Sequence, residues 1–145
     1  MEFSITDLLD YDSSVAWIIQ HFHPTGFNCP ECGAPCEQAR VFRKTRKSRL
    51  VVYRCNYCQI VYNLYSGTIF QQTHLTPMQM VLLMRGICKG ETSQELAAEL
   101  GLNYGTVLKL RHAVQANAEK LQPNTHLPDE HTETDEMFQN AGEKR

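Results

Sequence analysis

Apolar residues in the second half of the chain recur at the spacing of a helix. The stretch "PMQMVLLMRGICKG" is mostly apolar and is bounded by residues that favour helix ends. Thr76 suits the N-cap, Pro77 the first helical position, and Gly90 the residue that ends the helix. The pattern predicts a helix from Pro77 to Cys88, with Cys88 as a small core residue.

Two more helices are predicted in "TSQELAAELGLNYGTVLKLRHAVQANAEKL". Ser93 is the expected N-cap of a short helix that ends before Gly101, although Thr92 and Glu95 also have the spacing of a capping box. Glycine at position 101 suits a left-handed residue after the helix. Asn103 is expected to cap the last helix, which ends near residue 121.

The apolar positions of these two helices have the spacing of a helix-turn-helix motif. Ala97 lies four residues before Gly101, where a small side chain lets two helices cross closely. Together with the preceding helix they are expected to form a three-helix unit over residues 73–121. A helical hairpin with no role in DNA binding is the alternative. The expected buried positions are Leu96, Leu100, Leu102, Val107 and Leu110.

The first half of the chain has β-branched and aromatic runs around a cysteine pair. "RLVVYRC" and "QIVYNLY" flank "CNYC", which predicts a β-hairpin with the cysteine turn at its tip. A second pair, "CPEC", precedes it, with 22 residues between the two pairs. Two CxxC turns supply four thiolates to one tetrahedral ion, so we predict one structural Zn²⁺ in a zinc ribbon over residues 27–72. The predicted ligands are Cys29, Cys32, Cys55 and Cys58.

Other uses of the cysteines are less well supported by the sequence. A disulfide framework needs an oxidising compartment, and a redox CxxC needs no second copy at this spacing. Cys36 is an alternative to Cys32 with the wider CxxxC spacing. His21 and His23 lie close to the first pair in sequence, and we expect them to be polar surface residues.

Charge divides the chain into three blocks of alternating sign. Residues 1–37 carry a net charge of −6, residues 38–90 carry +9 without a single carboxylate, and residues 91–145 carry −5. A strongly positive block suits a polyanion such as nucleic acid, although a solvated loop is the simpler reading of a charge run. The predicted DNA contacts in the span between the cysteine pairs are Arg40, Arg43, Lys44, Arg46, Lys47 and Arg49.

If the last helix enters the major groove of DNA, residues near its start would face the bases. Lys109 and Arg111 are the expected phosphate contacts, and His112 lies at the edge of this surface. The other predicted contacts are Asn103, Tyr104, Gly105 and Thr106.

Three stretches resemble the N-terminal region of bacterial insertion-sequence transposases of the DDE type. These are "FNCPECG", "VYRCNYCQIVYNLYSGTIFQQTHLTP" and "KGETSQELAAELGLNYGTVLKL", and the similarity extends over about residues 12–144. The resemblance implies an α+β chain: a short N-terminal helix within residues 1–26, a zinc ribbon, a helix-turn-helix and then a ribonuclease H-like catalytic domain. It also implies double-stranded DNA, the terminal inverted repeats of the element, as the partner.

The end of the chain departs from that family. "TETDEMFQNAGEK" is similar to the family's first catalytic strand, and Asp135 corresponds to its first catalytic aspartate. Two-metal chemistry needs several converging carboxylates, so Mg²⁺ is expected only in an intact transposase. We therefore expect an inactive fragment in which residues 122–145 are a linker, a truncated catalytic start and a disordered tail.

Two other functions remain open, with expectations about partners and location. The chain could be a stand-alone regulator that occupies transposon ends, or a zinc-stabilised protein-interaction module. Self-association and the intact transposase are further expected partners. No apolar run approaches the roughly 20 residues of a membrane span, and the acidic start is unlike a signal peptide. These features predict a cytoplasmic, nucleoid-associated protein without membrane contact.

Overall fold

The structure is a computed structural model that describes residues 10–121. It is mixed α/β, with four α-helices and a three-stranded antiparallel sheet in this part of the chain. Residues 1–9 and 122–145 lie outside the described residues, and so do Asp135 and the predicted tail. In chain order the elements are α1 (Tyr11–Phe22), β1 (Ala39–Lys44), β2 (Val51–Cys55), β3 (Val61–Tyr62), α2 (Pro77–Lys89), α3 (Ser93–Leu100) and α4 (Tyr104–Leu121).

The sheet has the strand order β1-β2-β3, and each neighbouring pair is antiparallel. Strands β2 and β3 enclose the turn that contains the second cysteine pair, so the hairpin predicted around "CNYC" is confirmed. Strands β1 and β2 form a second hairpin whose turn spans residues 45–50. Its register shifts between Val41 and Arg43, which leaves Phe42 in a bulge of the edge strand.

The helix ends agree with the local capping rules. Thr76 forms a complete capping box with Gln79, and Gly90 and Gly101 adopt left-handed conformations after α2 and α3. The prediction of Ser93 as an N-cap was wrong. Thr92 is the N-cap of α3. Its hydroxyl accepts from the N–H of Glu95, and the carboxylate of Glu95 accepts from the N–H of Thr92, which completes the capping box.

One hydrophobic core joins the helices to the first half of the chain. Trp17 and Ile18 of α1 pack with Leu50 of the β1–β2 turn, with Phe70, and with the buried side of α2. Because the turn residue Leu50 is only 2% exposed, the hairpin is anchored to the helices at its tip. No helix between residues 10 and 121 combines the length and the apolar character that a membrane span needs.

Two expectations about single side chains are corrected. Cys88 is exposed, because it lies in the last turn of α2, beyond the packed core. His21 and His23 are half-buried and bonded within the fold. His21 Nδ1 lies 2.9 Å from the carbonyl of Trp17, and His23 Nε2 lies 2.7 Å from that of Leu64.

Gly86 lies at a close contact between α2 and α3. It is buried in the middle of α2, and a Cβ atom there would overlap Cδ2 of Leu96. Glycine is unfavourable in a helix interior, so this position is explained by the crossing of the two helices.

We expect Gly86→Ala to destabilise the fold by about 1–3 kcal/mol, because overpacking against Leu96 outweighs the better helix propensity of alanine. Thermal unfolding followed by circular dichroism measures this. Gly105→Ala is the control at an exposed helical position, where the atom nearest to the added Cβ is Oδ1 of the exposed Asn103 side chain. Equal melting temperatures for Gly86→Ala and the unchanged protein would contradict the close crossing.

Candidate metal centre and nucleic-acid interface

Four cysteine sulfurs from two separate turns meet in one cluster. All ligand atoms of Cys29, Cys32, Cys55 and Cys58 lie within 4.8 Å of one another. The distances between the turns are 3.5 Å for both Cys29 Sγ to Cys58 Sγ and Cys32 Sγ to Cys55 Sγ. Thiolates about 2.3 Å from a tetrahedral zinc ion lie about 3.8 Å apart, so the group is compatible with a structural zinc site.

The two turns repeat one backbone arrangement. In the first, the N–H of Cys29 donates to the carbonyl of Ala34, and the N–H of Gly33 donates to the carbonyl of Cys29. In the second, the N–H of Cys55 donates to the carbonyl of Ile60, and the N–H of Gln59 donates to the carbonyl of Cys55. Both turns place the residue after the second cysteine in a left-handed conformation, at Gly33 and Gln59. The CxxC spacing therefore aims both sulfurs of each turn at a common point.

Hydrogen bonds from the backbone favour the thiolate form at two of the four cysteines, Cys55 and Cys29. The N–H groups of Cys58 and Tyr57 lower the pKa of Cys55 to about 6, although burial acts in the opposite direction. Burial of Cys29 raises the pKa of its thiol, but the N–H groups of Cys32 and Glu31 outweigh this effect and the net pKa is lowered. A thiolate is the form that binds a metal. At Cys32 and Cys58 the N–H groups of Ala34 and Ile60 also lower the pKa, but burial and the neighbouring cysteines outweigh them and the net pKa is raised.

The cluster is supported by a small aromatic shell. The ring of Phe27 lies 5.8 Å from Tyr53 and 5.6 Å from Tyr62, both in edge-to-face contact. Cys29, Cys55 and Tyr62 are the buried members of this second core. Burial raises the pKa of Tyr62. Cys36 is half-buried beside these rings and outside the four-sulfur group.

The predicted basic residues of the β1–β2 hairpin are exposed on an ordered support. The turn is closed by a hydrogen bond from the N–H of Thr45 to the carbonyl of Leu50 (2.8 Å), and Ser48 is buried beneath it. Tyr11 of α1 also donates to the carbonyl of Arg49. The turn is therefore held by hydrogen bonds within itself and to α1. The exposed side chains are Arg40, Arg43, Lys44, Arg46, Lys47 and Arg49.

These cations have no carboxylate partners between residues 10 and 121. The only ion pair in that range joins Lys89 and Glu91. Arg40 instead lies directly opposite Arg54 in the β1–β2 register. The guanidinium of Arg54 stacks over the Phe42 ring at 4.5 Å. Like charges opposite each other in a sheet are unfavourable, so this surface carries positive charge that no carboxylate between residues 10 and 121 neutralises.

The start of α4 presents the other predicted contacts to solvent. Asn103 caps the helix, with Oδ1 accepting from the N–H of Gly105 at 2.8 Å. Most of the predicted residues are exposed here: Asn103, Tyr104, Gly105, Thr106, Lys109 and His112. Arg111 differs, because its half-buried guanidinium donates to the backbone carbonyl of Glu91 before α3. Arg111 thus ties α4 to the α2–α3 connection.

His74 is a surface residue that the sequence did not single out. It lines a cavity of about 340 Å³ together with the turn of the basic hairpin, including Arg46 and Lys47. It also lines a cavity of about 500 Å³ beside α4, together with Thr106 and Lys109. Only the folded chain brings the hairpin and α4 to this common neighbour.

Comparison of the chain with protein families, curated proteins and solved structures finds no significant match. The residues and their geometry are therefore the basis for assigning a function.

We expect the protein to bind one zinc ion per chain and Cys55→Ser to lose it, because the tetrahedron would lack one of its four thiolates. Zinc content after gel filtration, measured by atomic emission, checks this. Cys88→Ser, at an exposed cysteine outside the cluster, is the matched control and should keep its zinc. A Cys55→Ser variant with full zinc content would contradict the ligand set.

Chelation should unfold mainly residues 29–58, because metal binding supplies folding free energy in so small a core. The helices of the main core should retain more of their protection. Hydrogen exchange of the zinc-loaded protein with and without a chelator distinguishes the two regions. Unchanged exchange throughout residues 29–58 would show that the turns do not depend on a metal.

Proposed function

We propose that this chain is a zinc-stabilised module that binds double-stranded DNA. The main support is the cationic surface of the β1–β2 hairpin, which no carboxylate between residues 10 and 121 neutralises. His74 lines one cavity with this hairpin and a second cavity with the exposed start of α4. Phosphate contacts from lysine and arginine supply most of the affinity in such complexes, and base contacts from one inserted element supply sequence preference.

The pair α3 and α4 supports a helix-turn-helix in this proposal. Two helices of unequal length are joined at the left-handed Gly101, and the N–H of Leu102 donates to the carbonyl of Ala97 at 2.9 Å. Leu96 and Val107 are buried between the elements. The residues at the start of α4 are exposed to solvent, as the second helix of this motif requires.

In this assignment the side chains have separate tasks. Asn103 and Thr106 would meet base edges in the major groove, and Lys109 would neutralise a phosphate. The hairpin cations would follow the phosphate backbone. Arg111 supports the position of α4 through its bond to Glu91 and is the weakest of the proposed DNA contacts.

A narrower proposal rests on the resemblance described for the sequence. The DNA would be the terminal inverted repeats of an insertion element, and the chain the recognition region of a DDE-type transposase. Asp135 would then be the first catalytic aspartate, which would need further acids and Mg²⁺ for strand transfer. A regulator that occupies the same ends would use the same surface.

Exposed apolar side chains favour one second candidate, a protein-interaction module. Val41 and Tyr57 are each 67% exposed, and Phe42 is 47% exposed. Such residues are common at protein interfaces. Arginine stacking on Phe42 and the neighbouring cations are the reasons to rank DNA first.

The zinc-loaded protein is expected to enrich one sequence from a library of random duplexes, and to retard that duplex in preference to a scrambled version. The reason is that α4 offers amide and hydroxyl groups to base edges. Electrophoretic shift with competitor DNA measures the preference. Equal retardation of both duplexes would remove sequence recognition, and no retardation at low salt would favour the protein-interaction module.

Lys109→Ala is expected to weaken DNA binding several-fold at moderate salt and to reduce the slope of log K against log salt concentration by about one. Loss of a single phosphate contact accounts for both effects. Fluorescence anisotropy across a salt series provides the measurement. Lys120→Ala, at the far end of α4, is the matched control and should behave like the unchanged protein. Identical slopes for both variants would exclude Lys109 as a phosphate contact.

A further inference from the structure

The loop formed by residues 71–74, between β3 and α2, faces solvent where the two proposed DNA surfaces meet. Its sequence is "QQTH". His74 lines the cavity beside the hairpin turn, and the whole loop lines the cavity beside α4. Neither cavity has a carboxylate among its described lining residues. The loop thus lies within a field of positive charge.

Buried neighbours and hydrogen bonds hold this loop in place. Phe70 and Leu75 on either side of it are 0% and 2% exposed. The buried hydroxyl of Tyr65 donates to the carbonyl of Leu75 at 2.9 Å, and the hydroxyl of Thr73 donates to the carbonyl of Phe70 at 2.7 Å. A segment fixed in this way loses little conformational entropy when it binds a partner.

Gln72 and His74 are not used in holding the loop. Both side chains are exposed, and neither makes a hydrogen bond or ion pair within residues 10–121. Gln72 adopts a left-handed backbone with φ of 66°. That conformation costs energy for a residue other than glycine, and it is found often at binding sites.

We propose that residues 71–74 are a third DNA-contacting element, in which Gln72 and His74 donate hydrogen bonds to the phosphate backbone between the hairpin contacts and the α4 contacts. The inference rests on the proposed DNA binding and adds a specific contact to it. Charge selects the occupant: a duplex that touches the hairpin turn and Lys109 passes the loop, and its phosphates are the acceptors that amide and imidazole N–H groups require.

The test uses the zinc-loaded full chain and a labelled duplex of random sequence, with affinity measured by anisotropy at low salt. The double variant Gln72→Ala/His74→Ala should bind about tenfold or more weakly, since two hydrogen bonds to charged groups are lost. Its melting temperature should be unchanged, because neither side chain bonds within the described fold. Gln20→Ala, at an exposed position of α1 that lines neither cavity, is the matched control and should bind normally.

The outcomes separate this inference from the proposed function. If Lys109→Ala weakens binding and the double variant binds like the unchanged protein, the loop contact is wrong and DNA binding stands. If the double variant loses affinity only for the sequence enriched by selection, the loop reads bases and the phosphate assignment is overturned. If the unchanged protein binds no duplex, both proposals fail.

Discussion

The meeting of four sulfur atoms from two distant turns is the constraint on which the rest of this structure depends. Around the sulfur cluster, the described residues form a second core with three buried members, Cys29, Cys55 and Tyr62. So little buried surface does not stabilise a module of this size on its own. A tetrahedral metal would offset the deficit, because thiolates organised by backbone N–H groups would gain a shared cation. The fixed geometry of the turns then determines the register in which β2 and β3 pair.

The same constraint reaches the proposed DNA surface through β2. This strand ends at Cys55, and at its other end the chain enters the turn that anchors Leu50 in the main core. The basic hairpin is therefore fixed at both ends, by the sulfur cluster and by the helices. Cations that repel one another are held together by this arrangement, as Arg40 and Arg54 are across the strands. A bound polyanion would relieve that repulsion, which links the metal centre to the proposed function.

Local rules account for the parts of the fold that the sequence predicts well. Thr76, Gly90 and Gly101 act within a few residues, so the helix ends follow from sequence, and the spacing of the four cysteines predicts the cluster. Features that depend on tertiary packing were not predictable in this way. Gly86 is understood only when Leu96 of another helix is beside it. Arg111 donates to the carbonyl of Glu91, a partner 20 residues away. His74 lines two cavities that exist only in the folded chain.

Zinc dependence of DNA binding tests the central claim most directly. The reduced, metal-free protein would be titrated with zinc in the presence of a labelled duplex, and anisotropy followed at fixed salt. Binding should rise with added zinc and saturate at one equivalent per chain, because the metal orders the hairpin that carries the phosphate contacts. Equal affinity before and after zinc addition would contradict the account, since the cationic surface would then not depend on the four-cysteine centre.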